Sequence, residues 1–358
     1  MRIALIGRST LYTIPGGDTV QITETARQLN QQGATASVCL SHSVIDEKDF
    51  DLFHFFNITR PADILPHLGR IKKPYVVSPV YIDYSEYDRN HRKGLTGLFL
   101  QPFSSTRIEY IKTLGRAVKG NDLLPGLEYL WKGQQKSIRK ILAGAAGILP
   151  NSSMELEQIR QLGIHQQAWI IPNGIDTTLF DNRERIEKDN NLILCAARIE
   201  GLKNQLNLIR ALNNCGKELV LAGSAAPNQQ SYYQKCKKEA AANIVFAGRM
   251  HQSALVHYYA RARVHVLPSW FETCGLSSLE AAAMGCNIVI TAKGYTRDYF
   301  GDDAFYCDPG NPGSILEAVM KAAAAKPSIQ LAESIKINYT WERAAAMTLS
   351  AYQTVLNS

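Results

Sequence analysis

No apolar run in these 358 residues approaches the ~20 that a membrane-spanning helix requires, although 46% of them are hydrophobic. The first such run, Ile3-Ala4-Leu5-Ile6, is too short for a secretory signal and reads as an opening strand. None of the seven cysteines (Cys39, Cys195, Cys215, Cys236, Cys274, Cys286, Cys307) forms a C-x-x-C pair. Their odd number and scatter exclude a disulfide framework and a zinc site, and point to free thiols in a reducing cytoplasm. No G-x-G-x-x-G follows a strand, which removes the dinucleotide dehydrogenases. The D-x-D sequence, Asp49-Phe50-Asp51, precedes the run Leu52-Phe53-His54-Phe55-Phe56 and so stands at the amino edge of a strand. Ligands of open α/β sheets gather at the opposite edge, so no metal is expected. Internal repeats, low-complexity stretches and nucleic-acid recognition motifs are also lacking, and no nucleic-acid partner is expected.

What remains is an alternation of strand-like and helix-like segments, the pattern of parallel sheets with helices on both faces. Residues 2–7, 35–40, 50–56, 74–78 and 146–150 read as strands, with helices at 18–32, 61–69, 125–143 and 152–162. A second series has strands at 192–196, 218–222, 243–246, 263–267, 287–290 and 304–306, and helices at 203–213, 229–241, 251–261, 276–284 and 312–325. The polar stretch 173–191 separates the two series and reads as a linker. The chain is therefore expected to hold two Rossmann-like, doubly wound α/β domains facing a cleft, residues 1–172 and 173–340. Residues 341–358, with Trp341, Ala345, Leu349, Tyr352 and Leu356, have helical spacing.

The charge of +7 is uneven: residues 89–140 hold eleven Lys or Arg against three acids, with Leu98-Phe99-Leu100 and Tyr129-Leu130-Trp131 among them. Basic and bulky apolar residues together suit an anionic membrane surface or an anionic acceptor. A solvated helix with its own buried side is the alternative.

One stretch carries more chemistry than any other. Val264-His265-Val266 reads as a buried strand, Leu276 to Met284 as a helix, and Gly275 permits a tight turn between them. The amides of Gly275, Leu276 and Ser277 then converge at a helix N-terminus, an arrangement that binds phosphate. Glu272 precedes that helix and Glu280 stands in its second turn, and carboxylates accept hydrogen bonds from vicinal hydroxyls. Arg198 and Lys203 follow the strand at 192–196 and offer cations for a diphosphate leaving group.

These residues stand in the order Pro268-Ser269, Glu272, Gly275, Glu280-Ala281, Ala283 and Gly285. With Pro172-Asn173-Gly174-Ile175-Asp176, with Ala197 to Asn204 and with Gly16-Gly17 after the first strand, the chain resembles the family-4 retaining glycosyltransferases of the GT-B fold. The resemblance covers most of the chain except residues 84–135. It implies a metal-independent retaining hexosyltransferase that uses no cofactor. Its donor would be UDP-glucose or a related UDP-hexose, and its acceptor a glycan or lipid-linked saccharide at the inner membrane face. Arg198 and Lys203 would bind the two phosphates, and Glu272 with the amides of Cys274 and Gly275 the transferred sugar. Glu280 would hold the ribose, the Gly248-Arg249-Met250 turn the base, and Gly16 and Gly17 would approach the diphosphate. Residues 341–358 would pack back on the first domain.

There is one departure. Where the family carries a His after the fourth strand, Pro74 to Val80 places Val80, so Tyr81 or Asp83 takes over the contact or it is lost; Asp18 is a further candidate. Two rival readings stay open: a nucleotide-sugar 2-epimerase of the same fold, and a non-catalytic subunit that binds a UDP-sugar.

Overall fold

A computed structural model of the chain describes residues 1–84, 86–88, 105–118, 126–181 and 186–358. The apolar runs become buried parallel strands, most of them followed by a helix that covers one sheet face. The first half contains β1 (Arg2–Gly7), α1 (Gly17–Gln31), β2 (Thr35–Leu40), β3 (Leu52–Phe56), α2 (Pro61–Leu68) and β4 (Tyr75–Ser78). It continues with α3 (Ser105–Val118), α4 (Leu127–Ala143), β5 (Gly147–Ile148) and α5 (Ser153–Gln161). The second half contains β6 (Asp189–Ala196), α6 (Gln205–Leu212), β7 (Glu218–Ala222), α7 (Gln230–Glu239), β8 (Ile244–Gly248), α8 (Gln252–Arg261) and β9 (Ala262–Leu267). It closes with α9 (Leu276–Ala283), β10 (Asn287–Thr291), α10 (Arg297–Phe300), β11 (Phe305–Cys307), α11 (Pro312–Ala324), α12 (Ile329–Asn338) and α13 (Trp341–Leu356).

Two compact units result. One comprises Met1–Asn173 with Trp341–Ser358, the other Gly174–Thr340. The first holds a five-stranded parallel sheet in the order β2-β1-β3-β4-β5. The second holds a six-stranded parallel sheet in the order β11-β10-β9-β6-β7-β8. Both are doubly wound, with strand order reversing at β1/β3 and at β6/β9. Crevices at the carboxyl ends of strands form at such reversals, and ligands bind there.

α13 closes the first unit. Tyr352 is fully buried, and its hydroxyl lies 2.6 Å from His54 Nδ1 on β3, while His54 Nε2 lies 2.9 Å from Ser78 Oγ. Burial drives the His54 pKa down to about 3, so the ring is a neutral packing and hydrogen-bonding element.

Three sequence expectations need correcting. The stretch 173–191 is not a free linker, because Ile175 and Phe180 are buried in the core of the second unit and β6 already begins at Asp189. Helix α12 was not foreseen: Ser328 caps it by accepting the Leu331 amide, but Ile329 and Ile337 are exposed, which obscures its apolar stripe. The helix expected to open at Lys203 opens at Gln205 instead, after a 3-10 turn over Gly201–Lys203 and a left-handed Asn204.

Much of the basic, apolar segment, including Arg89, Arg92, Lys93, Leu98-Phe99-Leu100, Phe103, Lys119 and Leu123-Leu124, lies outside the described residues. Within α4, Trp131, Leu127, Lys136 and Arg139 are exposed, while Lys132 and Lys140 pair with Glu128. No helix among the described residues is long and apolar enough to cross a membrane.

Candidate functional site

The reversal point of the second sheet gathers the charged residues. The chain leaves β6 at Ala196 and reaches Arg198, then the turn carrying Lys203; its neighbour β9 ends at Leu267 and leads to Glu272. These two loops are stitched together. The Trp270 amide donates to the Leu202 carbonyl at 3.0 Å, and the buried Asn204 amide group donates to the carbonyls of Pro268 at 3.0 Å and Pro309 at 2.7 Å. Lys203 Nζ thereby meets Glu272 Oε1 at 2.5 Å, with the lysine side chain 25% exposed and the glutamate 7%. Burial works against the ammonium, but the Glu272 carboxylate outweighs it and raises the Lys203 pKa above its ordinary value. Arg198 is more open and donates to Glu200 at 3.1 Å. Phosphate-binding cations and sugar-binding acid were expected as separate contacts; the structure joins one of each into a partly buried ion pair.

Glu272 is also pinned through its backbone. Its amide donates to Lys293 O at 3.1 Å and its carbonyl accepts from the Tyr295 amide at 2.9 Å. Between those partners stands Gly294, at φ +107, where an added Cβ would lie 1.9 Å from the Glu272 carbonyl oxygen. Only glycine tolerates both that φ and that approach. Sequence reasoning missed Gly294, since the need for it arises from a contact 22 residues away in the chain.

Just beyond, α9 begins. Gly275 caps it in the left-handed region at φ +68, and the first intrahelical bonds are Ser278 N–H to Gly275 O at 2.8 Å and Leu279 N–H to Gly275 O at 3.1 Å. The amides of Leu276 and Ser277 precede that ladder and face out along the axis, where the helix dipole favours an anion. Cys274 is buried beneath the turn. His265, fully buried on β9, accepts the Ala196 amide at Nε2 and lies 3.3 Å from Ser278 Oγ through Nδ1, tying β6 to α9. Burial holds its pKa at about 3. Glu280 accepts from the Tyr259 hydroxyl at 2.9 Å. Burial pushes its pKa up to about 7, and hydrogen bonds from Tyr259 and Gln252 oppose that rise. Met250 is half-buried in the loop between β8 and α8, after Gly248 at φ +73.

The remaining predicted residues, Gly16, Gly17, Asp18, Tyr81 and Asp83, belong to the first unit. Gly16 caps α1, and its amide donates to Thr19 Oγ1 at 2.9 Å, so Thr19 rather than Asp18 completes the cap. Both Asp18 oxygens are engaged by the buried Arg8, at 2.7 and 3.1 Å, and one also by Asn57 at 3.3 Å. Burial alone would raise the Asp18 pKa, but Arg8 holds it below its ordinary value. Arg8 also donates to the carbonyls of Thr10 at 2.8 Å and Ile14 at 2.6 Å, so this ion pair sets the shape of the loop ahead of Gly16. The sequence offered no sign of Arg8 in this role.

After β4, Val80 takes φ +45, a region hostile to a β-branched side chain. Asp83 is exposed, and Tyr81 is half-buried with its hydroxyl pKa raised by burial first and by the Asp83 charge second. The fully buried Glu155 holds this bend, accepting the Tyr81 amide at 2.6 Å and the Asn151 amide at 2.5 Å. Burial pushes the Glu155 pKa up to about 7 against both bonds. The folded value lies above the unfolded one, so the stability it contributes is full below about 4.5 and is lost as pH rises through about 7. The stability advantage of the parent over Glu155→Gln should accordingly shrink between pH 5 and 8, by up to about 3 kcal/mol. Thermal unfolding of both proteins across that range tests this; a constant difference would refute the assignment.

Among the described residues no cluster of His, Cys, Asp or Glu is arranged to hold a metal ion. Asp51 of the D-x-D sequence pairs with Arg2 at 3.0 Å at the amino edge of β3.

Two doubly wound units are also the fold of GT-B glycosyltransferases, and comparison with known proteins agrees on that fold. Residues 176–338 match the family model for glycosyl transferases group 1. The D-inositol 3-phosphate glycosyltransferase of Pseudarthrobacter chlorophenolicus is 26% identical over 310 residues, covering 76% of this chain and 72% of the relative. A glycogen synthase of Mycobacterium tuberculosis is 26% identical over 196 residues, covering 51% of this chain and 47% of the relative. Among solved structures, sucrose-phosphate synthase from Thermosynechococcus elongatus superposes with a TM-score of 0.78 at 15% identity, covering 100% of this chain and 99% of that one. Anabaena HepE in complex with UDP-glucose gives 0.66 at 14% identity, covering 100% and 98%. In sequence and in fold, the chain is thus similar to glycosyltransferases.

Proposed function

We propose that the chain is a metal-independent, retaining hexosyltransferase that takes its sugar from UDP-glucose or a related UDP-hexose. The observation that carries this reading is the Lys203–Glu272 pair standing at the sheet reversal ahead of the α9 N-terminus. When the donor's bond between anomeric carbon and phosphate oxygen breaks, negative charge gathers on the departing diphosphate. Arg198, Lys203 and the amides of α9 stabilise it, which is the task a divalent ion performs elsewhere. Glu272 accepts hydroxyl groups of the sugar, and Glu280 those of the ribose. The acceptor hydroxyl attacks the face from which the diphosphate leaves and passes its proton to a phosphate oxygen, so configuration is retained and no side chain acts as nucleophile. UDP-bound and UDP-glucose-bound HepE share the fold and support uridine as the base.

The acceptor is proposed to be a glycan or lipid-linked saccharide bound by the first unit. Exposed Trp131, Leu127, Lys136 and Arg139 on α4 fit an acceptor presented at an anionic membrane.

The test is thermal-shift screening of UDP-, GDP- and ADP-sugars in the presence of EDTA. A ligand at 100 times its dissociation constant stabilises the fold by about 2.7 kcal/mol. A UDP-hexose should give the largest shift, and turnover should survive chelation with retention at the anomeric carbon, read by NMR. Dependence on a divalent ion, or inversion, would overturn the mechanism. A non-catalytic binding subunit is the second reading, favoured by the Val80 replacement; it predicts a shift without donor consumption.

A further inference from the structure

Tyr259 is among the largest fully buried side chains of the second unit, and its burial carries more than packing. Its ring meets Phe180 and His265 edge-on, with centroids 6.0 and 5.9 Å away. Its backbone carbonyl accepts Lys188 Nζ at 2.7 Å, and the same ammonium donates to Met284 O at 2.8 Å, so one lysine clamps the C-terminal ends of α8 and α9 together. With ring and backbone both fixed, the hydroxyl is fixed too, and it donates to Glu280 Oε2 at 2.9 Å. Gln252, exposed in the first turn of α8, hydrogen-bonds the same carboxyl. Both groups acting on Glu280 therefore come from one neighbouring helix.

We propose that Tyr259 is a positioning residue for nucleotide recognition: its hydroxyl occupies one oxygen of Glu280 and fixes the orientation in which that carboxylate meets the ribose hydroxyls. The inference rests on the reading of Glu280 as the ribose ligand. Carboxylates select a vicinal diol only when both oxygens are correctly placed, and a carboxyl with free rotation about its last bond loses that selectivity. The hydrogen bond also favours the charged, accepting form at a site where burial disfavours it. Of the ionisable groups around the Tyr259 hydroxyl, Cys195 on β6 and Cys286 after α9 have thiol pKa values raised by burial, and Tyr259 itself is raised well above its ordinary value. Lys188 is lowered by burial first, and then held up in part by Cys286. Glu280 is thus the group here that titrates near neutrality.

The test is calorimetric binding of UDP, with GDP and ADP alongside, from pH 5.5 to 8.5. The proteins are the parent, Tyr259→Phe, Gln252→Ala and Glu280→Gln. Affinities are taken relative to the parent at each pH so that the nucleotide's own titration cancels. Tyr259→Phe removes a bond to a carboxylate, so the Glu280 pKa should rise further. Affinity should fall about tenfold at pH 7, stay below the parent at pH 8.5, where Glu280 is ionised but no longer oriented, and fall away on the acid side at a higher pH than in the parent. Gln252→Ala, an exposed substitution that does not threaten the core, should move the limb in the same direction. Glu280→Gln should bind weakly with no recovery. A Tyr259→Phe profile identical to the parent, or weakened by one constant factor at every pH, would overturn the positioning role. Parent-like binding by Glu280→Gln would instead overturn the ribose assignment itself.

Discussion

Replacing Lys203 by Ala should lower kcat/KM by about 10²–10³-fold, the usual cost of removing one preorganised charge from a developing anion. Two effects act in the same direction. The cation proposed to face the diphosphate is lost, and Glu272, 7% exposed, is left as an unpaired carboxylate that would repel an anionic donor. Glu272→Ala should be of similar size, through loss of hydroxyl contacts and of the partner that orients Lys203. Because the two side chains act as one pair, the double substitution should cost much less than the product of the singles. Steady-state kinetics on the four proteins, with folding verified by thermal unfolding, decides the matter. Strict multiplicativity, or near-parental rates in either single variant, would remove the pair from the mechanism.

Gly294→Ala should be nearly as damaging although residue 294 bears no functional group. Its Cβ would be built 1.9 Å from the Glu272 carbonyl oxygen, and its φ of +107 suits no L side chain. The backbone that carries Glu272 must shift, and a displacement of ~1 Å near the reacting atoms costs about 10²-fold in rate. Gly216→Ala is the control. Its φ is +77, but an added methyl meets nothing within 4 Å, so only backbone strain of about 1 kcal/mol applies and activity should be kept. Parental turnover in Gly294→Ala would show that this glycine does not set the position of Glu272.

The frame of the molecule is readable from the chain because parallel strands buried on both faces leave near-continuous apolar runs such as Leu52–Phe56, broken only by His54, and Ile288–Ile290. The charged residues near 198, 203 and 272 are readable because each follows such a run, at the edge where ligands gather. What escaped is what depends on distance in space. Tyr259 and Glu280 lie 21 positions apart on different helices, and nothing local announces that their side chains meet. Lys188 sits in what reads as a polar linker, yet its ammonium is spent on carbonyls 71 and 96 residues away. Asn204 reads as part of a polar helix start, whereas its left-handed backbone and buried amide group weld two loops. Asp18 reads as a candidate contact, whereas the buried Arg8 claims its carboxylate.

The return of residues 341–358 to the first unit has a consequence for synthesis and for engineering. The polypeptide crosses between units at Asn173/Gly174 and again at Thr340/Trp341, and beside those crossings Ile175 and Thr340 pair as a bridge. The later-made unit is thus an uninterrupted cassette with adjoining termini, suited to excision or transplantation. The earlier-made unit must wait, incomplete, until residues 341–358 have left the ribosome and brought Tyr352 to His54. Removing residues 341–358 consequently injures the half of the protein that was translated first.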